Sequence, residues 1–229
     1  MALASCRVAV AEVSLPKVFS DGMVLQQQVP VPVWGKATRG ERVVVKIAGQ
    51  SLETTADDRG RWRVMLAPLD AASHRKPLTM TVAGTNTLTI DRIRIGEVWL
   101  LAGGERVAKQ VRMLSHAKSI LAEAADAPVV IFTAGSAGGW QPLQAGNLAT
   151  TPAEAYLFAR DLQQKVAGPV GVIVAAQAFP ETPLESWLSR TVIEATPAAK
   201  PILEFYASAA KKGADASYEE QLAAWREAN

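Results

Sequence analysis

The stretch Glu97–Val111 reads EVWLLAGGERVAKQV and contains the residues best placed to do chemistry. An apolar run leads through Gly103-Gly104 into an amphipathic segment, and α/β hydrolytic enzymes present their nucleophile in such a strand–turn–helix order. Ester hydrolysis would need a serine or cysteine in that turn, a base to take its proton and donors for the oxyanion. The turn carries Glu105 instead, so the usual nucleophile is absent from its expected position.

Glu105 allows two interpretations. As a nucleophile, its carboxylate would have to form an anhydride with an ester substrate, and no neighbouring residue in the sequence is arranged to use it. As a helix residue, a carboxylate in the first turn is stabilised by the helix macrodipole by roughly 0.3–1 kcal/mol. We favour the second interpretation.

Two other serines are weaker candidates for a nucleophile. Ser136 occurs in AGSAGG after an apolar run, but Gly138–Pro142 follows and predicts a loop, whereas a nucleophile elbow needs a helix there. Ser115 and His116 are neighbours in a segment predicted as helix, where adjacent side chains point in different directions. His74 is predicted in a solvated turn. We therefore expect no local Ser–His pair.

The cysteine and histidine content limits the cofactor chemistry. The single cysteine, Cys6, excludes an internal disulfide, and two histidines far apart in sequence argue against a structural zinc site, so we expect no metal or other cofactor. Cys6 lies in LASC, the form of a lipoprotein cleavage box. Only Met1 and Ala2 precede Leu3, however, so the sequence contains no complete signal peptide.

The composition is that of an ordinary globular protein. Lys and Arg number 24 against 22 Asp and Glu, a balance that gives no electrostatic reason to expect nucleic acid as a partner. No apolar run approaches the ~20 residues that a membrane-spanning helix requires.

Residues Ser14 to Ile95 have the pattern of β structure. Short alternating or β-branched runs separated by polar turns favour a β-sandwich. Trp34 and Trp62 are predicted to fill its core, with sugar stacking as the alternative for either ring. The predicted strands are Met23–Leu25, Val31–Gly35, Arg42–Ala48, Gln50–Ala56, Trp62–Leu66, Leu78–Ala83 and Asn86–Ile95.

The pattern changes near Gly96, where strands begin to alternate with helices and predict a parallel sheet. The predicted strands are Val98–Ala102, Val129–Thr133 and Val170–Ala175, too few for a complete doubly wound domain. The predicted helices are Glu105–Glu123, a Thr151-capped helix reaching about Val166, Pro201–Lys212, and one that begins at the Ser217–Glu220 capping box and carries Leu222 and Trp225.

Several motifs together resemble the sialate O-acetylesterase family, which are carbohydrate esterases of the SGNH-hydrolase fold. They occur in collinear order along nearly the whole chain: LPKVFSDGMVLQ (15–26), VPVWGKA (31–37), GRWRV (60–64), GEVWL (96–100), AYLFARDL (155–162), GPVGVI (168–173) and TPLESWLSR (182–190). The resemblance implies a jelly-roll-like β-sandwich over residues 14–95. It also implies a truncated SGNH-like (flavodoxin-like) α/β domain over residues 96–229, with a helical tail at 201–229.

The catalytic motifs of that family are not intact in this chain. Where the family has its nucleophile serine, the aligned residue is Glu105, preceded by Gly103 and Gly104. The family's oxyanion-hole glycine falls where this chain has Pro180 and Glu181, and proline has no N–H to donate. The family's oxyanion Asn and catalytic Asp and His belong to a later segment that this chain does not contain.

Three functional hypotheses follow. The first is an esterase-like protein that does not hydrolyse and retains carbohydrate or protein contact. The second is a fragment of a carbohydrate O-acetyl esterase whose missing half would supply the Asp and His. The third is a partial gene product with no function. The resemblance implies an O-acetylated sugar as the partner and an extracytoplasmic (secreted, periplasmic or lysosomal) location. The incomplete sheet also predicts self-association through an open edge.

Overall fold

The computed structural model describes residues 12–122, 128–166, 168–175 and 188–211, and at 105, 106, 190 and 206–211 it describes the backbone alone. The chain forms two compact units, Met1–Glu181 and Thr182–Asn229. Cys6, the capping box at Ser217–Glu220, Leu222 and Trp225 lie outside the described residues.

The strands of the first unit match the predicted runs closely. They are β1 (Val24–Gln26), β2 (Val31–Lys36), β3 (Arg42–Ile47), β4 (Gln50–Thr55), β5 (Arg61–Leu66), β6 (Leu78–Ala83), β7 (Thr87–Ala102), β8 (Val129–Thr133), β9 (Gln141–Pro142) and β10 (Val170–Ala175). The helices are α1 (Glu105–Ala108), α2 (Ala117–Ala122), α3 (Ala145–Leu148) and α4 (Ala153–Gln163), with a 3-10 turn at Val111–Met113.

One long strand connects the antiparallel and parallel parts of the first unit. The runs predicted as separate strands, Asn86–Ile95 and Val98–Ala102, form the single 16-residue strand β7. Its first half pairs antiparallel with β6, and its last six residues pair parallel with β10. The result is a mixed sheet in the order β4-β3-β6-β7-β10-β8-β9, with β1 also pairing with β7, and a separate two-stranded sheet β2-β5.

The parallel relation predicted for the three apolar runs after Gly96 is confirmed. β10 lies between β7 and β8 and pairs parallel with both. Both faces of β8 are buried: Val130 and Phe132 belong to the core that fills the antiparallel part, whereas Val129 and Ile131 pack with residues of α4. A β-sandwich, the SGNH strand order and a domain division at Gly96 stay predictions.

The prediction of a single helix over Glu105–Glu123 is wrong. The segment divides into α1, the 3-10 turn and α2, with Gln110 in an extended conformation between them. The backbone of this stretch bonds to another part of the chain: Val111 N–H donates to Thr151 O at 3.0 Å, and Ala153 N–H donates to Lys109 O at 2.7 Å. These long-range backbone hydrogen bonds replace the helical ones, although Val107 and Val111 are both buried.

The prediction that Thr151 caps α4 is also wrong. Pro152 occupies the cap position without a side-chain hydrogen bond to the helix. The Thr151 hydroxyl donates instead to Asn147 O at 3.0 Å, at the end of α3. α4 ends at Gln163, three residues before the predicted end.

Only one of the two tryptophans predicted for the core lies there. Trp62 is 3% exposed, but Trp34 is 42% exposed. Trp34 follows Val33, which is fully buried, and successive side chains of a strand point to opposite faces. The Trp34 ring lies against Phe19, with ring centroids 4.7 Å apart.

The second unit is helical where it is described. α5 (Arg190–Ala195) is capped by the Ser189 hydroxyl, which accepts a hydrogen bond from Val192 N–H. A 3-10 turn at Pro197–Ala199 leads into α6 (Lys200–Lys211) and confirms the helix predicted at Pro201–Lys212. Throughout the described residues, each helix is too short or too polar to cross a bilayer.

Gly96 allows β7 and β10 to pair. A Cβ at this position would lie 2.1 Å from Pro169 O, which accepts a hydrogen bond from Glu97 N–H at 3.1 Å. We expect Gly96→Ala to lower the free energy of unfolding by about 1–3 kcal/mol, because the added methyl group must push the two strands apart. Denaturant unfolding measures this change.

Gly146→Ala is the matched control, since a Cβ there would meet no atom within 4 Å and Gly146 lies in helix α3. This variant should be neutral or slightly stabilised. Equal stability of the two variants would contradict the role assigned to Gly96.

Candidate functional site

The candidate site begins where β7 ends. After Ala102, Gly103 and Gly104 form a tight turn that leads into α1, and Val107 N–H donates to Gly104 O at 3.1 Å. A Cβ on Gly103 would lie 2.8 Å from Val107 Cγ2, so a larger residue would disturb the turn. The order of strand, glycine turn and helix is therefore present as predicted.

Glu105 is the first residue of α1, at the position where the resemblance places a nucleophile. α1 has only four residues, so few peptide dipoles are aligned behind this position. The side chain of Glu105 lies outside the described part of the molecule. Its predicted role in stabilising the helix stays a prediction.

The second segment of the predicted site follows β10. Ala175, the last residue of β10, is paired with Ala102, so the chain leaves both strands at the same end of the sheet. Pro180 and Glu181, the residues at the vestigial oxyanion position, lie outside the described residues. The structure therefore shows that the chain leaves β7 and β10 at one end of the sheet, and the oxyanion position at Pro180 and Glu181 stays a prediction.

Ser136 does not lie in a nucleophile elbow. It follows β8 in a turn, where its N–H donates to Thr133 O at 3.2 Å and its hydroxyl donates to Gly138 O at 3.4 Å. The segment after it leads into β9 rather than into a helix. The hydroxyl therefore bonds to a backbone carbonyl, with no histidine among its described partners.

The prediction that Ser115 and His116 cannot meet is wrong. Because the predicted helix is broken, both residues lie in a turn between the 3-10 turn and α2. Ser115 Oγ and His116 Nδ1 are 3.4 Å apart and exposed. This distance exceeds the 2.6–3.2 Å expected of a nucleophile and its base, although apo structures are often looser. Sequence reasoning missed the contact because it assumed helical geometry.

A cavity of 380 Å³, lined by both polar and apolar residues, lies beside the carboxyl end of β8. Thr133, Ser136, Gln141, Asn147 and Thr150 supply hydroxyl and amide groups to its wall. In open α/β sheets, ligands bind at the carboxyl ends of the strands. No local signal in the sequence identified this cavity, because its wall combines the end of β8, β9 and α3.

Metal-ligating residues are dispersed in the described part of the chain. Across residues 12–122, 128–166, 168–175 and 188–211, no three His, Cys, Asp or Glu side chains form a group that could hold a metal ion. His74 lies in a turn as predicted, but it is only half exposed and its Nδ1 is 2.8 Å from Asp70 O.

The fold is similar to that of a carbohydrate acetylesterase from Xanthomonas citri. The two structures align with a TM-score of 0.67 and 25% sequence identity, over 78% of this chain and 43% of that protein. The chain thus has an esterase-like fold and spans less than half the length of this solved neighbour.

Other comparisons add no functional information. A bacterial immunoglobulin-like domain from the M. primoryensis ice-binding adhesin is 26% identical and covers 38% of this chain, but its TM-score of 0.26 is too low to support an argument. No protein-family model and no curated protein matches the chain.

We expect no release of acetate from aryl acetates or O-acetylated sialic acid above a matched control. The reason is the absence of serine at position 105, and Glu105→Ser should not restore turnover because we also expect no base and no orienting carboxylate to act on it. A spectrophotometric assay of the purified chain measures this. Turnover that disappears on Ser115→Ala or on Ser136→Ala would show that one of these serines is the nucleophile.

Proposed function

We propose that this chain is a carbohydrate esterase-like protein that no longer hydrolyses its ligand and retains contact with O-acetylated carbohydrate. The similarity to a carbohydrate acetylesterase, at a TM-score of 0.67, supports the esterase-like part of this proposal. The seven collinear motifs that resemble the sialate O-acetylesterase family support an O-acetylated sugar as the ligand.

The loss of hydrolysis rests on one observation. β7, Gly103-Gly104 and α1 form the strand–turn–helix arrangement that presents a nucleophile, and the first helical residue is Glu105. A carboxylate at that position cannot be activated as a serine hydroxyl is, by transfer of its proton to a neighbouring base. The frame of the site is therefore present without the group that would attack the ester.

The cavity beside β8 is our proposed contact site for the sugar. Its volume of 380 Å³ falls in the range of about 300–1,000 Å³ typical of small-molecule pockets. Gln141 is exposed at its rim and offers both a donor and an acceptor to sugar hydroxyls. Trp34, which is 42% exposed, offers a second surface on which a sugar ring could stack.

A second candidate function is that of part of an active acetylesterase. The chain covers 43% of the carbohydrate acetylesterase from Xanthomonas citri, and this supports a longer protein in which another segment supplies catalytic groups. Among the described residues, the Ser115–His116 contact of 3.4 Å is the arrangement closest to a nucleophile with a base.

We expect the purified chain to bind an O-acetylated saccharide, to bind the de-O-acetylated form about tenfold more weakly, and to release no acetate from either. Gln141→Ala should weaken binding, because a hydrogen bond in a ligand pocket contributes about 0.5–1.5 kcal/mol. Calorimetric titration with parallel acetate detection makes the measurement.

Gln50→Ala is the control, since Gln50 lies on β4 and its side chain bonds to the backbone of Ala67 away from this cavity. Equal affinity for the two saccharides would contradict recognition of the acetyl group. Release of acetate would favour the second candidate.

We also propose that the chain self-associates through the free edge of β7. The backbone groups of successive strand residues point to alternate sides of the strand. Glu97 N–H points toward β10, and Val98 N–H donates to Gln26 Oε1 on the opposite side. The backbone N–H of Leu100, two residues after Val98, therefore also points away from β10. Among the described residues, no strand pairs there beyond Gly96. Leu100 is 64% exposed and Trp99 is 46% exposed, so the edge is both unpaired and apolar.

Light scattering at several concentrations should therefore show a mass that rises with concentration. Leu100→Lys should prevent the rise, because a lysine on an edge strand opposes pairing with a second strand. Met65→Lys is the matched control, since Met65 is 48% exposed on β5. A strictly monomeric wild-type chain at all concentrations would contradict the proposal.

A further inference from the structure

A second cavity lies at the opposite end of the parallel strands from Gly103. Its volume is 640 Å³, and its wall includes Ile95 in the middle of β7 and Gly168-Pro169, which precede β10. The turn at Asp70–Arg75 forms another side, with Gln28 from the loop after β1. We call this cavity the Arg75–Arg94 cleft, after the two cationic residues in its wall.

The two arginines of the cleft are not neutralised by carboxylates. Arg75 and Arg94 are exposed, and neither forms an ion pair within the described residues, where other arginines pair with Asp or Glu. A guanidinium group binds a carboxylate through two parallel N–H···O bonds. The wall of the cleft therefore offers two unused groups suited to an anion.

The one carboxylate in the wall is bonded within its own turn. Asp70 accepts hydrogen bonds from the Ser73 hydroxyl at 2.9 Å, the Ser73 N–H at 3.2 Å and the Ala72 N–H at 3.4 Å. The Ser73 hydroxyl, followed by the Ala72 N–H, lowers the pKa of Asp70, so this group is ionised near neutral pH. With Asp70 engaged by the turn, the charge excess of the wall is positive.

Gln28 has a positive φ angle, which is unusual for a residue other than glycine. Its φ of 60° lies in the left-handed region, which few residues other than glycine adopt. Its N–H donates to Leu69 O at 2.8 Å, which fixes this conformation. Such strain occurs often at ligand sites, and Gln28 is exposed in the wall of the cleft.

His74 adds a ring nitrogen that can accept a hydrogen bond from a sugar hydroxyl. The Asp70 carbonyl can only accept, so the Nδ1 atom 2.8 Å away carries the proton of this hydrogen bond. In the neutral ring, Nε2 is then an acceptor. The cleft therefore combines two cations with an amide and a ring nitrogen that can bond to hydroxyl groups.

We propose that the Arg75–Arg94 cleft binds an acidic saccharide, with the guanidinium groups of Arg75 and Arg94 taking the carboxylate and Gln28 and His74 taking sugar hydroxyls. The saccharide part rests on the proposed carbohydrate contact, whereas the anionic part rests on the cleft itself. The cleft is distinct from the cavity beside β8, which lies at the other end of the sheet.

Calorimetric titrations of the full chain test this with three probes: a trigalacturonate, the neutral trisaccharide made by reducing its carboxylates, and sodium acetate. We expect the trigalacturonate to bind at least tenfold more tightly than either of the others. Arg75→Gln and Arg94→Gln should each weaken it about tenfold, because charge-assisted hydrogen bonds are lost. Arg63→Gln, which removes the same charge from exposed β5, should change nothing.

Each other result overturns part of the proposal in a distinguishable way. Equal binding of the neutral trisaccharide, unaffected by Arg75→Gln and Arg94→Gln, would overturn the anionic part and leave the proposed carbohydrate contact standing. Equal binding of acetate would overturn the saccharide part. No binding of any probe would overturn the cleft as a site, and the titration with O-acetylated saccharide would still test the proposed function separately.

Discussion

The close approach of Gly96 to Pro169 is the contact on which the first unit depends. β7 pairs with β6 as far as Ile93, with β1 over Arg94–Gly96 and with β10 from Glu97 onward, without a break in the strand. Glu97, the next residue, accepts hydrogen bonds from Gln26 and Gln27, which secures the end of β1 against the same strand. One strand thereby belongs to both an antiparallel and a parallel arrangement, and its direction determines where Gly103 and the candidate site lie.

The two ends of the parallel strands offer different chemistry. At the carboxyl ends lie a glycine turn, a short helix that begins at Glu105 and a cavity lined by both polar and apolar residues. At the amino-terminal side lies a cleft with Arg75 and Arg94 in its wall, neither of which forms an ion pair within the described residues. The groups of a protein that bind sugar hydroxyls are separate from the group that attacks an ester, so a site can bind a sugar without hydrolysing it.

The breaking of the helix after β7 shows how tertiary hydrogen bonds override a periodic pattern. Val107 and Val111 are buried with the spacing that predicted a helix, yet the backbone between them bonds to the segment before α4. This arrangement brings Ser115 and His116 together in a turn. A local contact between two chemically useful groups thus arises from pairing elsewhere in the chain.

The sequence alone determined the strands, the parallel relation of the three apolar runs and the absence of serine at position 105, because these depend on local alternation and residue identity. Only the tertiary structure decided that β7 is continuous through Gly96, that Trp34 is exposed while Trp62 is buried, and that Ser115 meets His116. It also brought the Asp70–Arg75 turn, Gln28 and Arg94 into one cleft. These features depend on contacts between residues far apart in sequence, and no local pattern records which backbone groups will pair over such separations.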